Sequence, residues 1–557
     1  MSEAGAIVSR VYGGFRGVDF RGDEINLVRS PDSLNVWKDY RETDSIRTRP
    51  DLELKVSFNA PVYGVFFYNN EMLVHSGSSL YKVVNGEKTV LYNDLKEAES
   101  NSFIFENIWY FKDGKHYLQY DGTNIKEVEG YVPTTSIGRK PSGGGSTHED
   151  VNMLTGKRIN TFLADGTSVE FYLDAKNLDE DYTPVVKIDD VETSDFTVDY
   201  AEGKITFTNA PEAPLTVGRD NVSVEFRKTV EKYKNIISNC TLLQVFDNRV
   251  FFSGNKDYPN MIWHCGLEDP TYVSDLDYYE EGQDPAAVRG LVAGNNALWV
   301  FREPSQSNTT VFYHTPSIDS QYGKVYPNTH SSISTGCVGK AINFNDDIVF
   351  FSDRGMEGIS GDVTTEQVLA HRSTMADRKM IAEKNYKEMI LAEWEGYLVV
   401  FIDDKAYLAD SRALFTNESH KEYEWFYWSF GKKITCAKVE KGVLYVGTED
   451  GLYTLTGESD VESYWVTPID KFKNPSRLKT TNKRGCVVEA TGDVSVYAKI
   501  ESTDFELIGE YKNITDYFVC RIKRKKFKDL QLKFHSKTRF SLETATLEAF
   551  VGGYIKR

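Results

Sequence analysis

The chain has few cysteines for its length, and none of them are spaced for a shared site. Its 557 residues include only six, at Cys240, Cys265, Cys337, Cys436, Cys486 and Cys520, and no Cys-x-x-Cys pair occurs. The sequence therefore signals neither a zinc site nor a disulfide framework. We expect six buried free thiols in a protein made in a reducing cytosol.

The sequence also lacks a long apolar run. No stretch approaches the ~20 residues that an α-helix needs to cross a bilayer. The N-terminal sequence "MSEAGAIVSRVYGG" has no charged start followed by an apolar stretch, which a secretory signal would show. We therefore expect no membrane-spanning segment.

The chain has fewer positively charged than negatively charged residues. Lys and Arg number 65 against 83 Asp and Glu, and the formal net charge is -18. Such a balance argues against a protein that binds nucleic acid tightly. Phosphate binding needs clustered Lys and Arg side chains, which displace the counterions of the nucleic acid. An acidic surface serves solubility, and it can also line a conduit through which DNA slides without sticking.

Sequence motifs of active sites are missing as well. No GxxxxGK[ST] loop, GxSxG elbow or HExxH pair occurs, and the nine histidines are dispersed without metal-ligand spacing. His264, between Trp263 and Cys265, fits a packed core residue better than a ligand. An acid–base pair could be hidden among the many carboxylates, but the densest cluster, residues 274–284, fits a solvated loop. We therefore predict no enzyme activity, no catalytic or metal-binding residue, and no cofactor.

What the sequence does contain is a recurring hairpin pattern. Aromatic residues make up 13% of the chain, which suits pleated sheets. Short apolar runs repeatedly flank a turn of Asn, Asp or Gly. This pattern covers residues 62–84, 103–122, 242–266, 288–314, 338–361, 389–410 and 443–457. It predicts an all-β protein, a β-propeller of about seven degenerate blades, over the alternative of unrelated meanders in ordinary sandwiches.

Two stretches depart from the pattern and define the predicted domains. Residues 138–150, "GRKPSGGGSTHED", have the composition of a flexible linker, and a strand-rich module follows them. We predict an N-terminal segment joining the propeller (1–60), first blades (61–137), an inserted small β-sandwich of Ig-like type (138–230), remaining blades (231–458) and a C-terminal β-domain (459–557). The one expected helix lies within residues 375–390.

Several motifs resemble the tail nozzle and head-closure stabilisation proteins of tailed bacteriophages. At the N-terminus the matching elements are Gly13-Gly14 with Asp19, Ser30-Pro31-Asp32 with Asn35, and Arg47-x-Arg49-Pro50. Residues 336–360 are similar to the family's central blade, with Gly336, Asp353 and Gly355 matching. Residues 464–479, 525–536 and 552–557 are similar to its C-terminal domain, and the inserted module looks like the small sandwiches of phage structural proteins.

The resemblance implies a structural virion protein without enzyme activity. Proteins of that family form a ring, usually hexameric, that continues and closes the DNA channel below the portal and adaptor. The implied partners are other copies of the chain, the portal–adaptor complex, tail fibre or needle proteins, and genomic DNA that passes without sequence-specific binding. The implied location is the virion tail, after assembly in the host cytoplasm. The family supplies no catalytic residues to carry over.

Two functions of other classes remain as alternatives. One is a carbohydrate-binding or depolymerising tail protein that holds a sugar on aromatic rings. In "EYEWFYWSF" the alternation places Trp425 and Tyr427 on one face of a strand and Trp428 on the other, although a packed strand explains the same spacing better. The other is a cytosolic scaffold propeller, which would be a stable monomer.

One basic run stands out in this acidic chain. Residues 521–529, "RIKRKKFKD", alternate so that several Lys and Arg side chains share one face of a strand. The two interpretations are a solvent-exposed face and an ionic contact with an acidic neighbouring subunit.

Overall fold

The computed structural model describes residues 5–22, 26–39, 42–307, 309–320, 323–361, 363–417, 420–501, 503–522 and 526–555. The chain divides into two compact units, Met1–Asn93 with Ser332–Arg557, and Asp94–Ser331. Within the described ranges no helix is long and apolar enough to cross a membrane.

The first part of the larger unit contributes nine strands. They are β1 (Ile7–Gly13), β2 (Ser33–Leu34), β3 (Val36–Asp39), β4 (Glu42–Thr48), β5 (Asp51–Ser57), β6 (Val62–Tyr68), β7 (Glu71–Ser76), β8 (Ser79–Val84) and β9 (Glu87–Asn93).

The smaller unit contributes the next strands and a 3-10 turn at Glu231–Tyr233. The strands are β10 (Asn101–Phe105), β11 (Ile108–Lys112), β12 (Tyr117–Tyr120), β13 (Ile125–Glu127), β14 (Thr134–Arg139), β15 (Ser146–Thr147), β16 (Lys157–Phe162), β17 (Glu170–Tyr172), β18 (Val185–Ile188), β19 (Val191–Thr193), β20 (Phe196–Asp199), β21 (Lys204–Phe207), β22 (Val222–Arg227), β23 (Leu242–Phe246), β24 (Arg249–Ser253), β25 (Met261–His264), β26 (Tyr278–Glu280), β27 (Val288–Gly294), β28 (Ala297–Arg302), β29 (Val311–His314), β30 (Ser317–Asp319), β31 (Gly323–Val325) and β32 (Asn328–His330).

The rest of the larger unit holds the remaining strands, the short helix α1 (Asp377–Met380) and a 3-10 turn at Tyr386–Glu388. The strands are β33 (Ala341–Phe344), β34 (Asp347–Ser352), β35 (Gly355–Ser360), β36 (Val368–His371), β37 (Ile390–Trp394), β38 (Tyr397–Ile402), β39 (Lys405–Asn417), β40 (His420–Ser429), β41 (Ile434–Glu440), β42 (Val443–Thr448), β43 (Gly451–Gly457), β44 (Ser463–Val466), β45 (Arg477–Ile500), β46 (Glu506–Ile514), β47 (Tyr517–Cys520), β48 (Leu530–Ser536) and β49 (Phe540–Tyr554).

Seven four-stranded sheets in the described ranges have the meandering antiparallel strand order of propeller blades. The larger unit has β6–β9, β33–β36, β37–β40 and β41–β43 with β5, and the smaller has β10–β13, β23–β26 and β27–β29 with β32. In one of them the N-terminal strand β5 pairs with β43, so that sheet is completed by residues from distant parts of the chain. The predicted fold class, an all-β propeller type with an inserted sandwich and a C-terminal β-domain, is confirmed.

The other large sheets lie in the insert and near the C-terminus. The insert has a six-stranded sheet, β15-β14-β16-β22-β18-β19, and a three-stranded sheet, β17-β21-β20. A ten-stranded sheet combines β44–β49 with β1–β4 from the N-terminal segment. Its inner face shares a core with the sheet β37–β40, where Trp37, Trp394 and Trp428 pack together. The predicted domain boundaries themselves stay predictions.

One local expectation is wrong. Residues 138–150 are not a flexible linker, because β14 pairs with β15 and runs parallel to β16. Their glycines allow this turn: Gly145 has φ +89, and a Cβ there would crowd the carbonyl of Ile137. The helix expected within residues 375–390 is present as the single turn α1, and a 3-10 turn follows it, where the Tyr386 hydroxyl donates to the Ser352 carbonyl.

Candidate interaction surfaces

Residues of the N-terminal motifs converge in the larger unit, on a feature that we call the N-terminal joint (Gly17, Asp19, Ser30, Asn35 and Arg49). The joint begins where the chain crosses strand β40. The Val18 amide donates to the Trp425 carbonyl at 2.7 Å. Gly17 has φ +76, and a Cβ there would overlap that same carbonyl. Only glycine meets both conditions without strain, so this residue fixes how closely the segment lies against β40.

Asp19 and Ser30 form the next layer of the joint. The Asp19 amide donates to the Ser30 carbonyl at 2.7 Å, and the Asp19 carboxylate accepts two hydrogen bonds of 2.9 Å from the Arg21 guanidinium. The Ser30 hydroxyl donates to the Val466 carbonyl at 2.8 Å. This layer therefore ties the segment to β44 of the ten-stranded sheet.

Asn35 and Arg49 close the joint. Arg49 is 4% exposed, its Nε donates to the Asn35 side-chain carbonyl at 3.0 Å and its Nη2 donates to the Ser429 carbonyl at 2.8 Å. Its guanidinium lies 4.4 Å from the centre of the Phe430 ring. Burial lowers the pKa of Arg49 to about 10. The Asn35 amide group donates to the Glu462 carbonyl, so the pair connects β40 with the C-terminal sheet.

Residues of the central blade motif have separate roles. Gly336 is buried in the loop before β33, and the Asp353 side chain is largely exposed. Gly355 has φ +129, and a Cβ there would overlap the Asp377 carboxylate. That carboxylate belongs to a cluster with His371 and Glu357, in which the His371 ring lies between two acids.

The aromatic strand is a core element and not a sugar platform. Trp425 and Tyr427 are buried in one hydrophobic cluster, and Trp428 is buried in another on the opposite face. The expected alternation and the preferred packed-strand interpretation are both confirmed. His264 is also packed as expected, and burial lowers its pKa to about 4.

The cysteines are buried free thiols, as expected from their spacing. Burial raises the pKa of Cys240 and of Cys265 to about 12. Among the described residues no group of three or more His, Cys, Asp or Glu side chains is placed to hold a metal ion. Of the basic run, residues 523–525 lie outside the described residues, and the neighbouring Ile522 and Phe527 are buried.

An open pocket of about 390 Å³ lies beside the joint, and we call it the basic pocket. It is lined by Phe20, Arg378, Lys379, Ala382 and Glu383. The Glu383 carboxylate accepts a hydrogen bond from the Tyr407 hydroxyl at 2.8 Å. Neither charge counts nor motifs could have identified this pocket, because Phe20 and residues 378–383 are far apart in sequence.

The outer face of the ten-stranded sheet carries an exposed apolar row. Val11, Thr546, Val487 and Val519 are directly opposite one another on the adjacent strands β1, β49, β45 and β47. The three valines are 54%, 38% and 41% exposed. A contiguous exposed row of this kind is a surface suited to contact with another polypeptide.

Comparison with known proteins gives no family. No protein-family model matches the sequence, and no curated protein matches it either. Among solved structures, the chain is similar to BamB of Moraxella catarrhalis, with 10% identity and a TM-score of 0.34 over 76% of this chain and 92% of that one. It is also similar to PorZ of Porphyromonas gingivalis, with 13% identity and a TM-score of 0.25 over 82% of this chain and 70% of that one. The match to Hsv2 of Kluyveromyces lactis has 10% identity and a TM-score of 0.24 over 66% of this chain and 98% of that one. At these identities and TM-scores the matches do not indicate ligands, partners or activity for this chain.

Proposed function

We propose that this chain is a structural virion protein that forms the ring-shaped nozzle of a phage tail. The ring, expected to be a hexamer, continues and closes the DNA channel below the portal and adaptor and docks tail fibres or tip proteins. The protein is then not an enzyme and needs no cofactor. It is assembled in the host cytoplasm and acts in the virion tail.

The observation that supports the proposal is the position of the N-terminal motif residues. Asp19, Ser30, Asn35 and Arg49 are all buried, and their hydrogen bonds reach β40 and the C-terminal sheet. A catalytic motif would direct its polar groups into a cavity. Ser30, Asn35 and Arg49 instead donate hydrogen bonds to backbone carbonyls, and the Asp19 carboxylate accepts hydrogen bonds from Arg21, which is the chemistry of a structural joint.

The acidic composition fits the same proposal. A channel wall rich in Asp and Glu would repel the phosphates of the genome and ease its passage. The exposed row Val11, Val487 and Val519 supplies an apolar surface for a neighbouring subunit or the adaptor. Acids confined to the outside of the assembled ring, with a basic lumen, would contradict the role proposed for the charge.

The carbohydrate-binding alternative has less support. Its candidate rings, Trp425, Tyr427 and Trp428, are all buried in cores and are therefore unavailable to a sugar. Activity of the purified protein on capsular or cell-wall glycan would restore that alternative.

The test is the mass of the purified full chain in solution, by light scattering and negative-stain imaging. The protein is measured alone and after mixing with the portal–adaptor assembly of its virus. We expect a ring with a central channel, formed alone or templated by the adaptor. A persistent monomer that does not bind the adaptor would overturn the proposal and favour the scaffold alternative.

A further inference from the structure

The insert carries an exposed apolar loop that its own core does not use. We call this loop, residues 208–221 between β21 and β22, the insert tip. A turn from Thr216 to Arg219 places Val217 at its corner, and the side chains of Leu215 and Val217 are fully exposed. Two exposed aliphatic side chains, one residue apart, cost free energy in water that contact with a partner would recover.

The charges around the insert tip are mainly acidic. Asp189, Asp190 and Glu212 are exposed around it, and the Arg219 guanidinium lies 3.6 Å from the Asp190 carboxylate. The Asp189 amide donates to the Asn221 carbonyl, which holds the hairpin β18–β19 next to the tip. A partner that covers Leu215 and Val217 must therefore tolerate an anionic rim, and a cationic one would be attracted to it.

The basic pocket of the larger unit has the complementary character. Its apolar surface comes from Phe20 and Ala382. Its cations are Arg378 and Lys379, and with the Glu383 carboxylate the lining carries a net formal charge of +1. The Lys379 ammonium lies 3.6 Å from the centre of the Tyr427 ring and 4.8 Å from that of Phe20. Within the described part of the chain it has no carboxylate or carbonyl acceptor. Burial lowers the pKa of Lys379, so an incoming carboxylate would stabilise its charged form.

We propose that the insert tip of one copy of this chain binds in the basic pocket of a second copy. Leu215 and Val217 contact Phe20 and Ala382, and the tip carboxylates face Arg378 and Lys379. Such an interface is heterologous, because two different surfaces meet, and it generates a closed ring or an open chain of copies. The inference rests on the proposed function, for which it names the contact between subunits.

The experiment compares full-length variants by light scattering and sedimentation, alone and with the portal–adaptor assembly. The tip variant is Leu215→Ser with Val217→Ser, and the pocket variant is Lys379→Glu. We expect each to weaken self-association roughly 10- to 100-fold, since each removes apolar burial or reverses a charge at the interface. Leu267→Ser and Lys384→Glu, at exposed positions outside both surfaces, are the matched controls and should assemble like the wild type.

Mixing the two variants gives the sharpest result. The tip variant keeps an intact pocket and the pocket variant keeps an intact tip, so one good interface remains. The mixture should form 1:1 dimers that grow no further. Should Lys379→Glu lower the melting temperature, the exposed Arg378→Glu takes its place.

The outcomes separate this inference from the proposed function. If the wild type assembles and the variants assemble equally well, the tip–pocket contact is overturned and the nozzle proposal is left standing. A mixture that stays monomeric would also overturn it, as would a tip variant that loses adaptor binding but still self-associates. A wild type that stays monomeric with and without the adaptor would overturn both.

Discussion

At the residue scale, His371 is a side chain whose charge depends on the fold. Its Nε2 lies 2.6 Å from the Asp377 carboxylate and its Nδ1 lies 3.1 Å from the Glu357 carboxylate. Burial disfavours the charged ring, but hydrogen bonds and charges from both acids outweigh it and raise the pKa of His371 to about 10. The imidazolium is thus the native form at neutral pH.

This shift predicts a pH-dependent stability. The folded pKa of His371 is above its unfolded value, so the stabilisation is complete below about pH 6.5 and is lost as the pH rises through about 10. The ring is 28% exposed, and solvent screening reduces the effect. We expect His371→Gln to lower the free energy of unfolding by about 2 kcal/mol at pH 6.5 and by much less at pH 10. Urea unfolding at both pH values measures the difference, and an equal loss at each would contradict the charge assignment.

A pair of glycines tests the close approach at the N-terminal joint. Gly17 and Gly22 both have positive φ, +76 and +79, but only Gly17 faces a backbone carbonyl, that of Trp425. We expect Gly17→Ala to cost about 3 kcal/mol or more, since it adds an overlap to the conformational strain. Gly22→Ala, with nothing within 4 Å, should cost about 1 kcal/mol. Melting temperatures of the two variants provide the comparison, and equal losses would argue against the overlap.

At the scale of elements, the insert has a hydrophobic core of its own. Eleven buried apolar residues form it, and the Phe171 ring packs 5.4 Å from Phe162 and 5.1 Å from Phe207. We expect residues 133–230 to fold as an isolated fragment with cooperative thermal unfolding. Phe171→Ala should cost it about 3–5 kcal/mol, and Val191→Ala, at an exposed position, less than about 0.5 kcal/mol.

The same fragment tests the role of β14. A version that starts at residue 145 lacks β14, which pairs with β16 and β15 in the six-stranded sheet. We expect this shorter fragment to unfold at a lower temperature or not to fold at all, as judged by circular dichroism. Equal stability of the two fragments would mean that residues 138–150 act as the linker that their composition suggests.

Local elements were predictable from sequence wherever a few consecutive residues determine the backbone conformation. The hairpin turns at Asn69-Asn70, Asp247-Asn248 and Asn295-Asn296 were expected from the turn residues, and both members of each pair have positive φ. The ordered strand connection formed by the glycine-rich residues 138–150 was not expected, because glycine suits a tight strand connection as well as a flexible one. The short helix α1 does lie within residues 375–390, where the sequence predicts a helix.

At the scale of the whole molecule, the surfaces depend on pairs of residues that no local pattern joins. The N-terminal joint places Arg49 against Phe430, and the basic pocket places Phe20 beside Lys379. Motif order marked Asp19, Ser30, Asn35 and Arg49 as important. It did not show that the last three donate to backbone carbonyls while the Asp19 carboxylate pairs with Arg21. Only the folded arrangement separates a structural joint from a binding site.

Net charge gives the last prediction. Each copy carries a formal charge of -18, so copies repel one another over the screening length, which is about 30 Å at 0.01 M salt and about 8 Å at 0.15 M. The proposed tip–pocket contact is short-ranged and partly buried, and salt screens it less. We therefore expect self-association to strengthen about tenfold between 0.01 and 0.15 M NaCl, measured by sedimentation.

The control for this prediction separates screening from a general effect of solutes on burial. Sucrose favours compact and associated states by exclusion from the surface, but it does not screen charge. If self-association rises with NaCl and responds little to sucrose at 0.01 M salt, repulsion between acidic copies is what opposes self-association at low salt. Association that falls steadily with NaCl would instead mean that attraction between opposite charges dominates assembly, and the acidic surface would then belong at subunit contacts and not along a channel wall.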